Sequence, residues 1–151
     1  MINKLSNTAI KVLDQEEAID FYVNKLGLEI GTDIKQGTFR WVTVRVPSDP
    51  GVEIFLEQPG PPVMDEPTAA QVRELLTKGA LGSLVFHTDD CFALYETLKS
   101  RGVTDFTQEP TEHGYGVDMG VRDPFGNGIR FLQPRARGRK PSNSEATATS
   151  R

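Results

Sequence analysis

The chain has 151 residues, 37% hydrophobic and 25% charged, with a formal net charge of −4. That is enough for one domain with its own core, while no run nears the roughly 20 apolar residues of a membrane span, and the acidic balance argues against a nucleic-acid partner. Met1-Ile2-Asn3-Lys4 leads into strand-like sequence rather than a secretory signal, and the single Cys91 allows no internal disulfide, so a cytoplasmic setting is expected.

Leu5 to Leu13 reads as a strand, with Thr8, Ile10 and Val12 on one face and Asn7, Ala9 and Lys11 on the other. Asp14 then caps a helix, Glu17 completes a capping box, and Gly27 supplies a left-handed stop. Leu28 to Asp33 is the next strand, and Phe39 to Val46 alternates, setting Val42, Val44 and Val46 toward the helix and Trp41, Thr43 and Arg45 away from it. The turn Pro47-Ser48-Asp49-Pro50-Gly51 returns the chain into Val52 to Glu57. Pro59-Gly60-Pro61-Pro62 breaks structure, and a connecting helix is predicted over Thr68 to Lys78, ended by Gly79.

The order then repeats. Ser83 to Thr88 is a strand, Asp89 or Asp90 caps a helix that stops at Gly102, and Val103 to Thr107 is a strand. Tyr115 to Arg122 pairs with Ile129 to Leu132 across Asp123-Pro124-Phe125-Gly126-Asn127-Gly128. Setting Asp14 on Asp89 matches Ala18 with Ala93, Ile19 with Leu94 and Val23 with Leu98 as the buried face of each helix. Two βαβββ modules, 1–58 and 81–134, are therefore expected around a linker at 59–80, giving an α+β domain over 1–134. The segment 135–151 sets Arg135, Arg137, Arg139, Lys140 and Arg151 against Glu145 in Ser/Thr/Ala/Pro-rich sequence and reads as a disordered basic tail.

This order, with the segments AIDFYVNKLGLEI and DPFGNGIRFL, resembles the vicinal oxygen chelate superfamily over Leu5 to Pro134. That superfamily holds glyoxalase I, extradiol dioxygenases and bleomycin-resistance proteins. The resemblance implies a cupped mixed sheet with helices on its outer face, a cavity on the concave side, and a homodimer. Metal-dependent members place one ligand on each of four strands. Counting back from the helix caps puts Asn7 at the first position and Ser83 at the third, with Glu53 in GVEIFL at the second and Arg130 in GNGIRFL at the fourth. Serine and asparagine are poor neutral donors and a guanidinium has no lone pair to give, so no metal, cofactor or metal-dependent catalytic residue is expected. Arg130 either takes the vacated centre and pairs with Glu53 or points past the strand end to solvent.

Alternation and aromatic content nominate the ligand-binding residues as Asn7, Phe39, Trp41, Arg45, Glu53, Phe55, His87, Asp118 and Arg130. Trp41 is the only tryptophan and is expected to stack on a ligand, with packing at a subunit interface as the alternative. Asp118 is either a ligand acceptor or a partner for Arg45 or Arg122. His87 reads as a structural histidine before a general base, His113 as part of a surface loop before a lid, and Cys91 as inert. The resemblance is closest in character to metal-free binding proteins of the bleomycin-resistance branch, so the expected function is sequestration of an aromatic natural product. The alternative is a glyoxalase-like lyase or isomerase, or a dioxygenase, using a metal elsewhere or proton transfer at Glu53 or His87.

Overall fold

The computed structural model of the chain describes residues 1–136. They form two compact units, Met1–Gly82 with Pro124–Asn127, and Ser83–Asp123 with the chain from Gly128. The architecture is α+β, and each unit carries one four-stranded mixed sheet.

In the first unit the elements are β1 (Asn7–Lys11), α1 (Gln15–Ile19), β2 (Glu29–Gln36), β3 (Phe39–Val46), β4 (Asp49–Glu57) and α2 (Glu66–Thr77). The Asp14 side chain accepts from the Glu17 amide at 2.8 Å and so fixes the start of α1. From Asp20 to Lys25 the helix widens into a π-helical turn, in which the Leu26 amide reaches back to the Phe21 carbonyl. The extra residue per turn rotates the buried face onto Ala18, Phe21 and Tyr22, in place of the expected Ala18, Ile19 and Val23. Gly27, at φ 86, then turns the chain into β2.

The first sheet is ordered β1-β4-β3-β2, with β1 parallel to β4 and the other pairs antiparallel. Ile10, Val12, Val42, Val44, Ile54 and Leu56 fill the core from one face. The opposite face carries Asn7, Ala9, Trp41, Glu53 and Phe55, because side chains alternate and the register aligns Asn7 with Glu53 and Ala9 with Phe55. The β3–β4 hairpin turns on Pro47 and Ser48 alone, with Val46 opposite Asp49. Pro50 and Gly51 therefore lie within β4 rather than in the longer turn expected from their residue types.

The second unit holds β5 (Leu84–His87), α3 (Cys91–Ser100), β6 (Phe106–His113), β7 (Gly116–Arg122) and β8 (Gly128–Pro134), ordered β5-β8-β7-β6 with β5 parallel to β8. Asp90, not Asp89, caps α3 by accepting from the Ala93 amide. The repeat is therefore offset by one more residue than Asp14-on-Asp89 implies. Leu94 becomes the counterpart of Ala18 and Leu98 that of Tyr22, while Ala93 is exposed. Val103 does not open a strand: its amide bonds the Leu98 carbonyl beyond Gly102 (φ 88), and its side chain is buried, so it closes the helix. The strand starts at Phe106 and runs to His113, past Pro110. Its register against β7 shifts between Gln108 and Thr111, and the sheet order puts it at the edge, where a proline is tolerated.

Arg135 lies beyond β8 and is held by its own amide to Tyr115 O and by Nε to Gly114 O. The rest of the expected basic tail lies outside the described residues. Among the described residues no helix is long and apolar enough to cross a membrane.

The turn Pro124–Asn127 is locked to the first unit, where Asn127 Nδ2 donates to Lys11 O at 2.7 Å. Gly126 sits at φ 119, and a Cβ there would fall 2.2 Å from Leu76 O. Gly126→Ala meets both backbone strain and a backbone clash, and is expected to cost about 2–3 kcal/mol. Urea unfolding checks this; an unmoved midpoint would show that the turn relaxes freely.

Candidate functional site

On the face of the first sheet away from the core, Trp41 stacks on Phe55 with ring centroids 4.2 Å apart and an interplanar angle of 22°. Phe39 meets Phe55 edge-on at 6.1 Å. The adjacency follows from register, since Phe55 lies opposite Thr43 on β3 and opposite Ala9 on β1, whose methyl leaves the ring room. Beside these rings is a cavity of about 270 Å³ lined by Phe39, Phe55, Arg40, Gln15, Gln58 and Pro61 among others. Arg40 is fixed at its rim by two bonds to Asp33, at 2.9 and 2.8 Å, and by Glu16. Those carboxylates hold the guanidinium charged.

The charged residues of this face are mostly spent on one another. Lys11 pairs with Glu57, and Arg45 Nε donates to Glu29 at 2.9 Å. Glu53 Oε1 accepts from the Thr43 hydroxyl at 2.6 Å and the Thr32 hydroxyl at 2.9 Å. The Thr43 bond, against the opposing effect of burial and aided by Thr32, Arg45 and Lys4, holds the Glu53 carboxyl below its ordinary range. Gly31 is what permits this approach, because a Cβ there would sit 2.0 Å from Glu53 Oε1. Asn7 lies exposed at the strand end opposite Glu53.

The second sheet presents a polar cluster on the corresponding face. Asp118 is 7% exposed, and its carboxylate accepts three hydrogen bonds and lies close to one histidine. Oδ2 receives Arg130 Nη2 at 2.7 Å and Tyr115 OH at 3.1 Å, while Oδ1 receives Gln108 Nε2 at 2.8 Å and lies 3.0 Å from His113 Nε2. Burial alone would raise this carboxyl, but the bonds from Arg130 and Gln108, the Arg130 charge and the Tyr115 bond together hold it below the usual range. Burial and the bond to Asp118 push the Tyr115 hydroxyl up. His113 and Tyr115 stack at 4.9 Å. Both partners expected for Asp118, Arg45 and Arg122, are replaced by Arg130, which sits two positions along the neighbouring strand β8 from Leu132, the residue opposite Asp118. Arg130 is likewise not the partner of Glu53: each is satisfied within its own sheet. His87 is exposed at the end of β5.

Gln108 and His113 are not among the ligand residues nominated from the sequence, because the strand expected there, Val103 to Thr107, stops short of both, whereas β6 runs from Phe106 to His113. A second cavity, about 330 Å³, is lined by Thr88, Asp89, Glu112, His113, Gln133 and Arg135 among others. Cys91 is buried, and burial, with Asp118 and Asp90, pushes its thiol up, away from the reactive thiolate.

The register also revises the four positions at which metal-dependent relatives bind their ion. β1 sets Ala9 against Phe55, and β5 sets Val85 against Arg130. With Asn7 and Ser83 as counterparts, Ala9 matches Val85, so the counterpart of Arg130 is Phe55 and not Glu53. Asparagine, phenylalanine, serine and arginine do not fit a divalent metal. Among the described residues no three His, Cys, Asp or Glu gather in a group that could hold one.

A family model described as Glyoxalase/Bleomycin resistance protein/Dioxygenase superfamily matches residues 4–131. The chain is 41% identical to UcmS2, whose crystal structure it matches with a TM-score of 0.82 over 88% of this chain and 99% of that one. It is 28% identical to TnmS3, an antibiotic binding protein from Streptomyces sp. CB03234, over 89% of this chain and 98% of that one, with a TM-score of 0.70. The uncharacterized protein YurT of Bacillus subtilis (strain 168) is 35% identical over 86% of this chain and 98% of its own length.

Since the Asp118 carboxyl is held below its ordinary value, its contribution to stability is complete above the unfolded carboxyl's pKa of about 4 and is lost as pH falls through the lower folded value. Asp118→Asn is expected to lower the urea midpoint at neutral pH, by a gap that narrows toward about pH 3. A gap that stays constant over that range would mean that the charge on Asp118 contributes nothing.

Proposed function

The chain belongs to the glyoxalase/bleomycin resistance protein/dioxygenase superfamily, and from that premise we propose that it is a metal-free binding protein that sequesters a planar aromatic natural product. The observation that carries this reading is the Trp41–Phe55 stack, with Phe39 edge-on beside it, on the sheet face opposite the core. Aromatic rings supply large contact area at little cost in conformational entropy, and a stacked pair offers a flat wall to a flat ligand. The resemblance to TnmS3, an antibiotic binding protein, supports the ligand class. The protein works by affinity without turnover, as a self-resistance device of the cytoplasm, and acts as a homodimer.

The enzyme reading through proton transfer requires a base poised near neutral pH. Glu53 is a poor candidate: two hydroxyls on Oε1 and nearby positive charge stabilise its carboxylate. Aromatic stacking needs no such group, and the four positions related to the metal site of relatives hold Asn7, Phe55, Ser83 and Arg130.

Two measurements test the proposal. Titration with a panel of planar aromatic natural products is expected to quench Trp41 fluorescence. For the best of these ligands, Trp41→Ala should weaken binding, measured by calorimetry, by more than about 1 kcal/mol if Trp41 is a hot spot; unchanged affinity would remove the stack from the site. Elemental mass spectrometry after incubation with nickel, zinc, iron and manganese and thorough dialysis is expected to find well under one equivalent of metal. Stoichiometric retention would move the protein to the enzyme branch.

A further inference from the structure

The cavity beside the aromatic stack is walled by Phe39 and Phe55 and by the linker residues Pro59, Gly60, Pro61 and Val63, all within the first unit. At about 270 Å³ it lies just below the range that encloses a whole drug-sized ligand, and so suits one substituent of a molecule whose ring system lies on the stack.

The polar groups of this cavity lean toward acceptors. Gln15, half-buried, donates from Nε2 to Arg40 O at 3.1 Å and to Leu56 O at 2.9 Å, which uses both hydrogens of that nitrogen. Because both partners are carbonyls the amide cannot be turned over, and Oε1, which accepts nothing among the described residues, is the polar atom Gln15 has left to offer. Gln58 is oriented in the same way by the bond from Nε2 to Leu13 O, and its Oε1 likewise accepts nothing among the described residues. The two prolines of the wall carry no N–H. Among the described residues Arg40 is the one charged member of the lining. Each of its three nitrogens already donates to a carboxylate, Nε and Nη2 to Asp33 and Nη1 to Glu16. One hydrogen on each Nη remains, yet two carboxylates in contact offset the positive charge that would draw an anion in.

We infer that this cavity takes a protonated amino group carried by the aromatic ligand, with Gln15 Oε1 as its acceptor and the rings of Phe39 and Phe55 as its wall, and that it disfavours carboxylates. The inference rests on the aromatic-binding reading and adds to it the substituent that the ligand carries. An amine suits the site better than a hydroxyl, since a charged donor makes the stronger bond to the same oxygen and aromatic rings attract a cation.

Three probes that share one ring system test this: 2-naphthylmethylamine, 2-naphthalenemethanol and 2-naphthoate, each measured by equilibrium dialysis at neutral pH against wild type, Gln15→Met and Glu16→Gln. Wild type is expected to hold the amine about tenfold more tightly than the alcohol, the difference between a charged and a neutral donor, and the carboxylate least tightly. Gln15→Met, its fold checked by circular dichroism, should bring amine and alcohol to within about twofold of each other, because the acceptor is gone. Glu16→Gln changes an exposed side chain outside the lining and should lower the amine preference about threefold through charge alone, so it carries the test if Gln15→Met does not fold. Equal wild-type affinity for amine and alcohol, a preference for the carboxylate, or an amine preference that a folded Gln15→Met or Glu16→Gln leaves unchanged would overturn the amine inference and leave the aromatic reading standing. Absence of binding by all three probes would overturn the aromatic reading and this inference with it.

Discussion

The carboxylate of Asp118 organises the polar face of the second sheet. A buried aspartate is costly unless its oxygens are filled, and here Gln108 from β6, Arg130 from β8 and Tyr115 from the β6–β7 turn donate to them, with His113 Nε2 3.0 Å away. Each donor is itself oriented by the arrangement: Gln108 bridges the carboxylate to Arg130, and Tyr115 lies flat against His113. Losing the carboxylate would leave a guanidinium, an amide and a phenol without their common partner, so the cost falls on the whole group rather than on one pair. The register shift in β6 belongs with it, since it falls between Thr111, which lies opposite Asp118, and Gln108, which lies opposite Gly120 and reaches the carboxylate.

The first sheet solves a different problem with the same frame. Its charges are held locally: Lys11 pairs with Glu57 and Arg45 with Glu29, while the Glu53 carboxylate accepts from two threonine hydroxyls. What the face offers is ring surface. A Trp–Phe stack is worth about 1 kcal/mol beyond the area it buries, so the pair keeps its geometry before any ligand arrives. Binding then loses little to ordering side chains, the term that most often erodes affinity.

Most of the fold was legible because the repeat constrains itself. A strand, a capped helix and three strands, stated twice, carry more information than any segment's propensity, and Asp14, Gly27, Gly79 and Gly102 each sit where a cap or a left-handed stop requires them. The errors share a cause. Sequence patterns show residue types, while the structure is decided by one-residue offsets: the cap falling on Asp90, the π turn after Ile19, and the bulge that admits Pro110 into β6. An offset of one reverses a strand's face, which is why Trp41 and Phe55 were placed correctly by alternation while Gln108, on a misplaced strand, was missed. The pairing of Arg130 was unreadable for another reason. Three candidate arginines and several acids share the chain, and only the register of β7 against β8 selects among them.

That register also explains how a repeat can make an asymmetric face. Phe55 and Arg130 occupy corresponding places, each on the last strand of its sheet and each two residues beyond the one that faces the metal-position residue of the first strand. Duplication supplies the frame, and the substituents at that one pair of positions set its chemistry. An acid at 130 would sit beside Asp118, and two carboxylates so close would force one to take up a proton or to share a cation. An arginine there reverses the logic. It neutralises Asp118, fixes Gln108, and leaves a cationic donor where a ligating carboxylate would otherwise stand.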